Sequence, residues 1–269
     1  MIREPAVSGR FYPGTKQALR EEVEKYITEG PAPKPEAIGI VSPHAGYMYS
    51  GPVAGAVLSG AALKDTCIII GPNHTGLGKP FSIMTEGVWR LPSGDAEIDS
   101  RLAKAVLSGS SYLEEDRDAH LGEHSVEVQI PFLQALKPGV RIVPIVLAEA
   151  DLQAYRRIGK EMAAAVRSAG PGGATIIASS DMTHDEPQES AKAKDSIAIK
   201  AMLGLDEKAL ADAVGKHGIS MCGYVPACVM IAAAKELGAK GAKLIKYCTS
   251  GDASGDYGSV VGYAGIIVY

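Results

Sequence analysis

The sequence has few cysteines, little net charge and no long apolar run, and each of these absences excludes a class of protein. Its four cysteines, at positions 67, 222, 228 and 248, form no CxxC pair, so the disulfide framework of a small secreted protein is not expected. No apolar stretch reaches transmembrane length, and the first residues lack the apolar centre of a signal peptide. The net charge of −4 offers no basic surface for nucleic acid or an anionic membrane. We therefore expect a cytoplasmic protein with reduced thiols and with no nucleic-acid or membrane partner.

Three short apolar runs each lead into a loop that contains a histidine. The runs are rich in β-branched residues and bounded by Gly and Pro, which is typical of strands buried on both faces of a parallel sheet. They are residues 37–41 before His44, residues 67–70 before His74, and residues 174–178 before His184. In open α/β sheets, sites lie beyond the carboxyl ends of the strands. One such histidine alone would often be an ordinary polar residue, but three in the same placement indicate a metal or catalytic site.

The pattern along the rest of the chain predicts an α/β fold. Helices are expected near residues 15–28, 52–62, 96–107, 126–136, 151–168, 187–204, 206–215 and 226–237, and further strands near 141–147, 243–248 and 259–268. The Pro-rich stretch 30–35 is too short for a domain linker, and no repeat or break in composition is visible. We therefore predict a single domain over residues 1–269, with a mostly parallel central sheet flanked by helices and closed by antiparallel strands.

His44 and His74 lie between residues that favour tight turns. Pro43 stiffens the approach to His44 and Gly46 lets the chain turn after it, while His74 lies in Gly-Pro-Asn-His-Thr-Gly. Such turns fix the direction of an imidazole, the commonest metal ligand in proteins. The alternative is that Asn73 and His74 only satisfy amides of the turn.

Cys222 precedes a predicted helix that contains Pro226 in its first turn. A helix N-terminus, a neighbouring cation or a metal lowers the pKa of a thiol, so Cys222 is a candidate metal ligand or reactive thiolate. The alternative is a small buried side chain, which is the interpretation we give to the other three cysteines.

Two further polar clusters are candidates for the site. Asp181 and His184 are three residues apart and could provide a carboxylate and an acid/base imidazole, or merely a helix-capping turn. Glu123 and His124 are expected beside the site, whereas His120 is expected at the surface. The glycine-rich stretch 249–258 lacks the P-loop pattern and is interpreted as a solvated loop.

These loops resemble those of the Memo family (mediator of ErbB2-driven cell motility and its archaeal and bacterial relatives). The resemblance runs from residue 3 to the last predicted strand. Its most specific motifs are Pro43-His44-Ala45-Gly46-Tyr47, Gly71-Pro72-Asn73-His74, Glu123-His124-Ser125, Ser180-Asp181-Met182-Thr183-His184 and Cys222-Gly223. The resemblance implies the fold of the class III extradiol ring-cleaving dioxygenases, which hold non-haem Fe(II) on two histidines and one glutamate.

By that resemblance, His44, His74 and Cys222 are expected to bind a divalent metal, while His184 and Asp181 are the expected catalytic residues. Cys222 stands where the dioxygenases have a carboxylate; thiolate is softer, so copper or zinc become alternatives to Fe(II). Tyr47, Tyr49, Asn73, Glu123 and His124 are expected to support the ligands or contact a small-molecule substrate. The implied function is a metal-dependent oxidoreductase of unknown substrate. The alternative is a non-catalytic module that binds a peptide or phosphate in the same cleft.

Overall fold

The structure is a computed structural model that describes residues 1–28, 33–170 and 173–269. Part of the Pro-rich stretch 30–35 therefore lies outside the described residues. Across the described part, no helix is long and apolar enough to cross a membrane.

The central sheet has eight strands, and its four middle strands are parallel. The strands of the described residues are β1 Ile2–Arg3, β2 Gly39–Ser42, β3 Thr66–Pro72, β4 Phe81–Ile83, β5 Val88–Trp89, β6 Ala96–Glu97, β7 Glu114–Glu115, β8 Arg141–Leu147, β9 Thr175–Ser179, β10 Ala242–Thr249 and β11 Gly262–Val268. Of these, β1, β5 and β6 form a separate small sheet. The order in the large sheet is β10-β11-β2-β9-β3-β8-β4-β7. Strands β2, β9, β3 and β8 run parallel, whereas β11 and β4 join them on either side as antiparallel neighbours. Every residue of β2, β3 and β9 is buried, as their β-branched sequences require.

Helices cover both faces of this sheet. They are α1 Lys16–Tyr26, α2 Tyr47–Ser59, α3 Ser100–Gly109, α4 Asp118–Leu121, α5 Ile130–Leu136, α6 Leu152–Ser168, α7 Gln188–Leu203, α8 Glu207–His217, α9 Tyr224–Glu236 and α10 Gly251–Ser254, with a 3₁₀ turn at Glu127–Gln129. A Cβ on Gly39 would meet Met230 of α9. The next residue of β2 is Ile40, which pairs with Ile267 of β11. Ile267 lies near Gly60, at the end of α2. Because successive residues of a strand face opposite ways, α9 and α2 lie on opposite faces, and the α/β fold predicted from the sequence is confirmed.

Three helices begin elsewhere than the sequence predicts. The one expected from residue 126 opens with a 3₁₀ turn and is α-helical only from Ile130. Helix α2 starts at Tyr47, five residues before the predicted start at Pro52, because the carbonyl of Gly46 already accepts the amides of Tyr49 and Ser50. Helix α3 starts only after Asp99, whose side chain caps it by accepting the amide of Leu102 at 3.1 Å. Residues 96–97 form strand β6 instead, and the stretch 249–258, predicted as a loop, contains α10. The early start of α2 places His44 just before the helix.

Candidate metal centre

The candidate site lies where three neighbouring parallel strands end. Strand β9 lies between β2 and β3, so the loops after these strands emerge side by side. They carry His44 after β2, His74 after β3, and Asp181 and His184 after β9. Cys222 does not follow a strand. It lies in the loop that leads into α9, a helix that packs on β9.

The side chains of His44, His74 and Cys222 converge. Their ligand atoms all lie within 4.8 Å of one another, and His44 Nε2 is 3.2 Å from Cys222 Sγ. The rings of His44 and His74 meet edge to face with centroids 5.2 Å apart. The 3.2 Å between His44 Nε2 and Cys222 Sγ is about the separation of two ligand atoms that each lie roughly 2.0–2.3 Å from one ion. The three residues therefore fit a single metal ion.

Glu123 orients His74. The carboxylate accepts the His74 amide at 2.8 Å with one oxygen and contacts His74 Nδ1 at 2.9 Å with the other, which also accepts the Ser125 amide at 2.9 Å. Burial tends to raise the pKa of Glu123, but the hydrogen bond and charge of His74 lower it to about 2. Burial tends to lower the pKa of His74, yet the hydrogen bond and charge of Glu123 raise it overall. With Nδ1 engaged by a carboxylate, Nε2 of His74 is left for a ligand.

His44 is buried and held from two sides. Its amide donates to Asp181 Oδ1 at 2.7 Å, and its Nδ1 lies 3.0 Å from the hydroxyl of Ser179. Burial, followed by the neighbouring imidazoles, holds the pKa of His44 well below its ordinary value. The ring is therefore neutral near pH 7, which is the form that binds metals.

Cys222 is half-buried and its thiol is not activated by the helix that follows. Burial and then the charge of Asp181 raise the pKa of Cys222 above its ordinary value, contrary to the lowering that a helix N-terminus predicts. In the metal-free protein Cys222 is a thiol rather than a thiolate. Gly223 lets this loop approach β9 closely, because a Cβ there would lie 2.3 Å from the carbonyl oxygen of Ser179.

Asp181 and His184 lie at the same edge but are held by different partners. Burial raises the pKa of Asp181 to about 6, and its Oδ1 supports the loop of His44. The His184 ring instead contacts Ser220, whose carbonyl is 2.9 Å from Nδ1 and whose hydroxyl accepts the His184 amide at 2.7 Å. The ring of His184 is thus held through Nδ1 by Ser220, while Asp181 holds the loop of His44.

His124 adds a further imidazole to the cleft. Its ring stacks on His74 with centroids 4.8 Å apart and meets Phe11 at the same separation. His74, Glu123 and His124 also form a second group whose ligand atoms lie within 4.8 Å of one another. Because His74 Nδ1 already faces Glu123, this group serves to orient rings rather than to offer a second set of free nitrogens.

The remaining candidates have local roles that the structure makes visible. Tyr47 is buried, and its hydroxyl donates to the Val128 carbonyl at 2.7 Å. Asn73 shapes the turn after β3, since its side chain accepts the Gly76 amide at 2.9 Å and donates to the Leu77 carbonyl at 2.9 Å. Tyr49 is half-buried in the first turn of α2.

A buried ion pair behind the site was not anticipated from the sequence. Arg3 and Glu127 are both fully buried and form a salt bridge, and Arg3 also donates to the carbonyl of Glu123 at 2.7 Å. His120, expected at the surface, is fully buried with Nε2 2.9 Å from the Ser82 hydroxyl. The reason is that Trp89 packs edge-on against it and Arg3 donates to its carbonyl. No local pattern reveals partners more than 100 residues apart.

The fold and the site together define an α/β protein with a His-His-Cys cluster at the carboxyl edge of its sheet. A crystal structure of an uncharacterized protein from Escherichia coli K12 shares this fold, with a TM-score of 0.57 and 12% identity over 85% of this chain and 98% of that one.

The sequence comparisons identify the family. The family described as Memo-like protein matches residues 3–267. A MEMO1 family protein of Methanopyrus kandleri is 43% identical over 99% of both chains. Another, from Pyrobaculum aerophilum, is 43% identical over 100% of this chain and 99% of its own. The chain belongs to the Memo family, as its motifs predict.

Proposed function

We propose that this protein is a metal-dependent oxidoreductase related to extradiol dioxygenases, with His44, His74 and Cys222 as metal ligands and a small molecule as substrate. The observation that supports it best is the 3.2 Å approach of His44 Nε2 to Cys222 Sγ, within a group that also includes a nitrogen of His74. Fe(II) is the metal we favour, with copper or zinc as alternatives because thiolate is a soft ligand.

The residues present fit such an ion. Both imidazoles have Nδ1 in a hydrogen bond, to Ser179 in one case and to Glu123 in the other, so both present Nε2 to the cleft. Histidine ligands in metal sites typically have their second ring nitrogen hydrogen-bonded to another group of the protein. A bound iron or copper ion would supply one-electron chemistry and polarise an oxygen of the substrate.

The other residues of the cleft would handle protons and position the substrate. His184 is half-buried. Its Nδ1 contacts Ser220, and its other ring nitrogen, Nε2, would exchange a proton with a bound molecule. Asp181, with its pKa raised by burial to about 6, can hold or release a proton near neutral pH. The ring of His124 stacks on His74 and would contact a substrate bound next to these two rings.

Metal analysis of protein purified without oxygen tests the first half of the proposal. We expect about one metal per chain in the wild type. His44→Ala and His74→Ala should abolish tight binding of Fe(II), copper and zinc, whereas His217→Ala, an exposed histidine at the end of α8, should bind as the wild type does. Unchanged affinity in both site variants would refute the ligand assignment. An oxygen-consumption screen over catechols then tests turnover.

The alternative function is recognition of a peptide or phosphate in the same cleft. Its support is Arg10, an exposed cation whose charge, after burial and His74, contributes to lowering the pKa of His124. Calorimetry with inorganic phosphate and a phosphorylated peptide separates the two. Binding that is lost in Arg10→Ala, in a protein that takes up no metal, would favour recognition.

We also propose a cytoplasmic location, without a nucleic-acid or membrane partner. All four cysteines are free thiols, as a reducing compartment requires, and the net charge is −4. Fractionation of cells that express the protein tests the location.

A further inference from the structure

The hydroxyl of Ser179 contacts three buried polar groups, one of which is the Nδ1 of His44. Ser179 Oγ lies 2.7 Å from the carbonyl oxygen of Ser125, 2.8 Å from Nε2 of Gln129 and 3.0 Å from Nδ1 of His44. All four residues have at most 2% of their surface exposed. Water therefore has little access to these groups, so the hydroxyl of Ser179 must make its hydrogen bonds with the other three.

A count of protons decides which atom donates to which. A serine hydroxyl has one proton to donate and can accept two hydrogen bonds. The carbonyl of Ser125 can only accept, so it takes the proton of Ser179. The amide of Gln129 can only donate through Nε2, so it occupies one acceptor position. The last position is left for His44, whose Nδ1 must then carry a proton and donate it to Ser179.

The orientation of the Gln129 amide is fixed independently of His44. Besides Ser179, its Nε2 donates to the carbonyl of Pro43 at 2.8 Å. Turning the amide over would place its oxygen against that carbonyl oxygen, and two acceptors cannot share a hydrogen bond. The nitrogen therefore faces Ser179, and the proton between Ser179 and His44 belongs to Nδ1 of His44.

We propose that Ser179 is a positioning residue that fixes neutral His44 in the tautomer with its proton on Nδ1, so that the lone pair of Nε2 faces Cys222. This inference rests on the proposed function only for its purpose, since the tautomer itself exists without metal. Ser125 connects the two ligands, because its carbonyl orients Ser179 while its amide donates to Glu123, the partner of His74. The Glu123-His124-Ser125 motif thus directs both imidazoles toward the cleft.

Nitrogen NMR of the metal-free protein tests the proposal directly. Two-bond ¹H–¹⁵N correlation spectra near pH 7 distinguish the two tautomers of each neutral histidine, and the spectrum of His44→Gln assigns the His44 signals. We expect His44 of the wild type to carry its proton on Nδ1 alone. In Ser179→Ala the Nε2–H form should appear, and zinc affinity should fall by roughly 10–100-fold, the usual effect of removing such a partner.

Ser42 provides a matched control. It lies directly across the strand pair from Ser179, and its buried hydroxyl has no hydrogen-bond partner among the described residues. Ser42→Ala removes the same atom from a neighbouring buried position and should change neither the His44 tautomer nor the zinc affinity.

The wild-type spectrum alone can overturn the proposal, even if Ser179→Ala fails to fold: a proton on Nε2 of His44 would do so. An unchanged tautomer in folded Ser179→Ala would also refute it. A protein that binds no metal but shows the Nδ1–H form, and loses it in Ser179→Ala, would support this inference while refuting the proposed metal function.

Discussion

Replacing Asp181 with Asn should stabilise the metal-free protein at neutral and basic pH. Asp181 is only 4% exposed, and burial raises its pKa from 3.8 to about 6. A carboxyl group with a raised pKa stabilises the fold only while both folded and unfolded states keep the proton. The stability of the wild type should therefore fall as pH rises from about 4 to about 6, because in this window the folded state binds more protons than the unfolded state.

The size of the effect follows from the shift. About two pKa units correspond to roughly 3 kcal/mol of charge burial that Asn removes. Asn keeps one acceptor oxygen for the His44 amide but replaces the other with an NH₂ group that cannot accept a hydrogen bond; this costs about 1 kcal/mol. The expected net gain in the free energy of unfolding is about 2 kcal/mol near pH 8, changing to a loss of about 1 kcal/mol near pH 3.

Urea denaturation in the presence of a chelator measures this change. The quantity that matters is the difference between the two pH values, since it cancels effects that do not depend on ionisation. Asp212→Asn is the control: Asp212 is an exposed partner of Lys208, and such a pair contributes little to stability. If Asp181→Asn shows the same pH dependence as the wild type, the argument from burial of this charge is refuted.

Three further predictions concern other residues of the site. Glu123→Gln should lower the free energy of unfolding by about 3 kcal/mol at pH 7, the opposite sign to Asp181→Asn. Burial raises the pKa of Glu123 but His74 lowers it to about 2, so this stability is present above about pH 4.5 and lost as pH falls toward 2; an unchanged denaturation midpoint would contradict it. Metal binding should displace the proton of Cys222, whose pKa is raised by burial and then by Asp181, and any proton on His74, whose pKa burial tends to lower but Glu123 raises overall. Affinity should therefore increase at least about tenfold per pH unit near pH 7. Calorimetry in two buffers of different ionisation enthalpy detects the released protons, and binding without release would contradict the thiol form. His184→Ala should keep metal content near wild type while turnover of any substrate found falls roughly 10²–10⁴-fold; parallel loss of metal would make His184 a ligand instead.

The sequence determined the sheet and the strand-end positions of His44, His74, Asp181 and His184. Short β-branched runs bounded by Gly and Pro are typical of strands buried on both faces of a parallel sheet, and parallel strands deliver their following loops to one edge. The pattern needed no knowledge of distant contacts, because strand preference and alternation are local properties of the chain. The longer helices were found for the same reason, although a cap at Asp99 and an early start before Pro52 moved two boundaries. The one-turn helices α4 and α10 were not predicted.

Only the tertiary structure decided which side chains complete the site and how each is protonated. Cys222 meets His44 across 178 residues of sequence, and Ser179 is joined to Gln129 across 50. The helix after Cys222 predicted a lowered thiol pKa, whereas burial beside Asp181 raises it. Local sequence fixes backbone conformation, but desolvation and hydrogen-bond partners depend on what the rest of the chain places around a group, and these set its charge and tautomer.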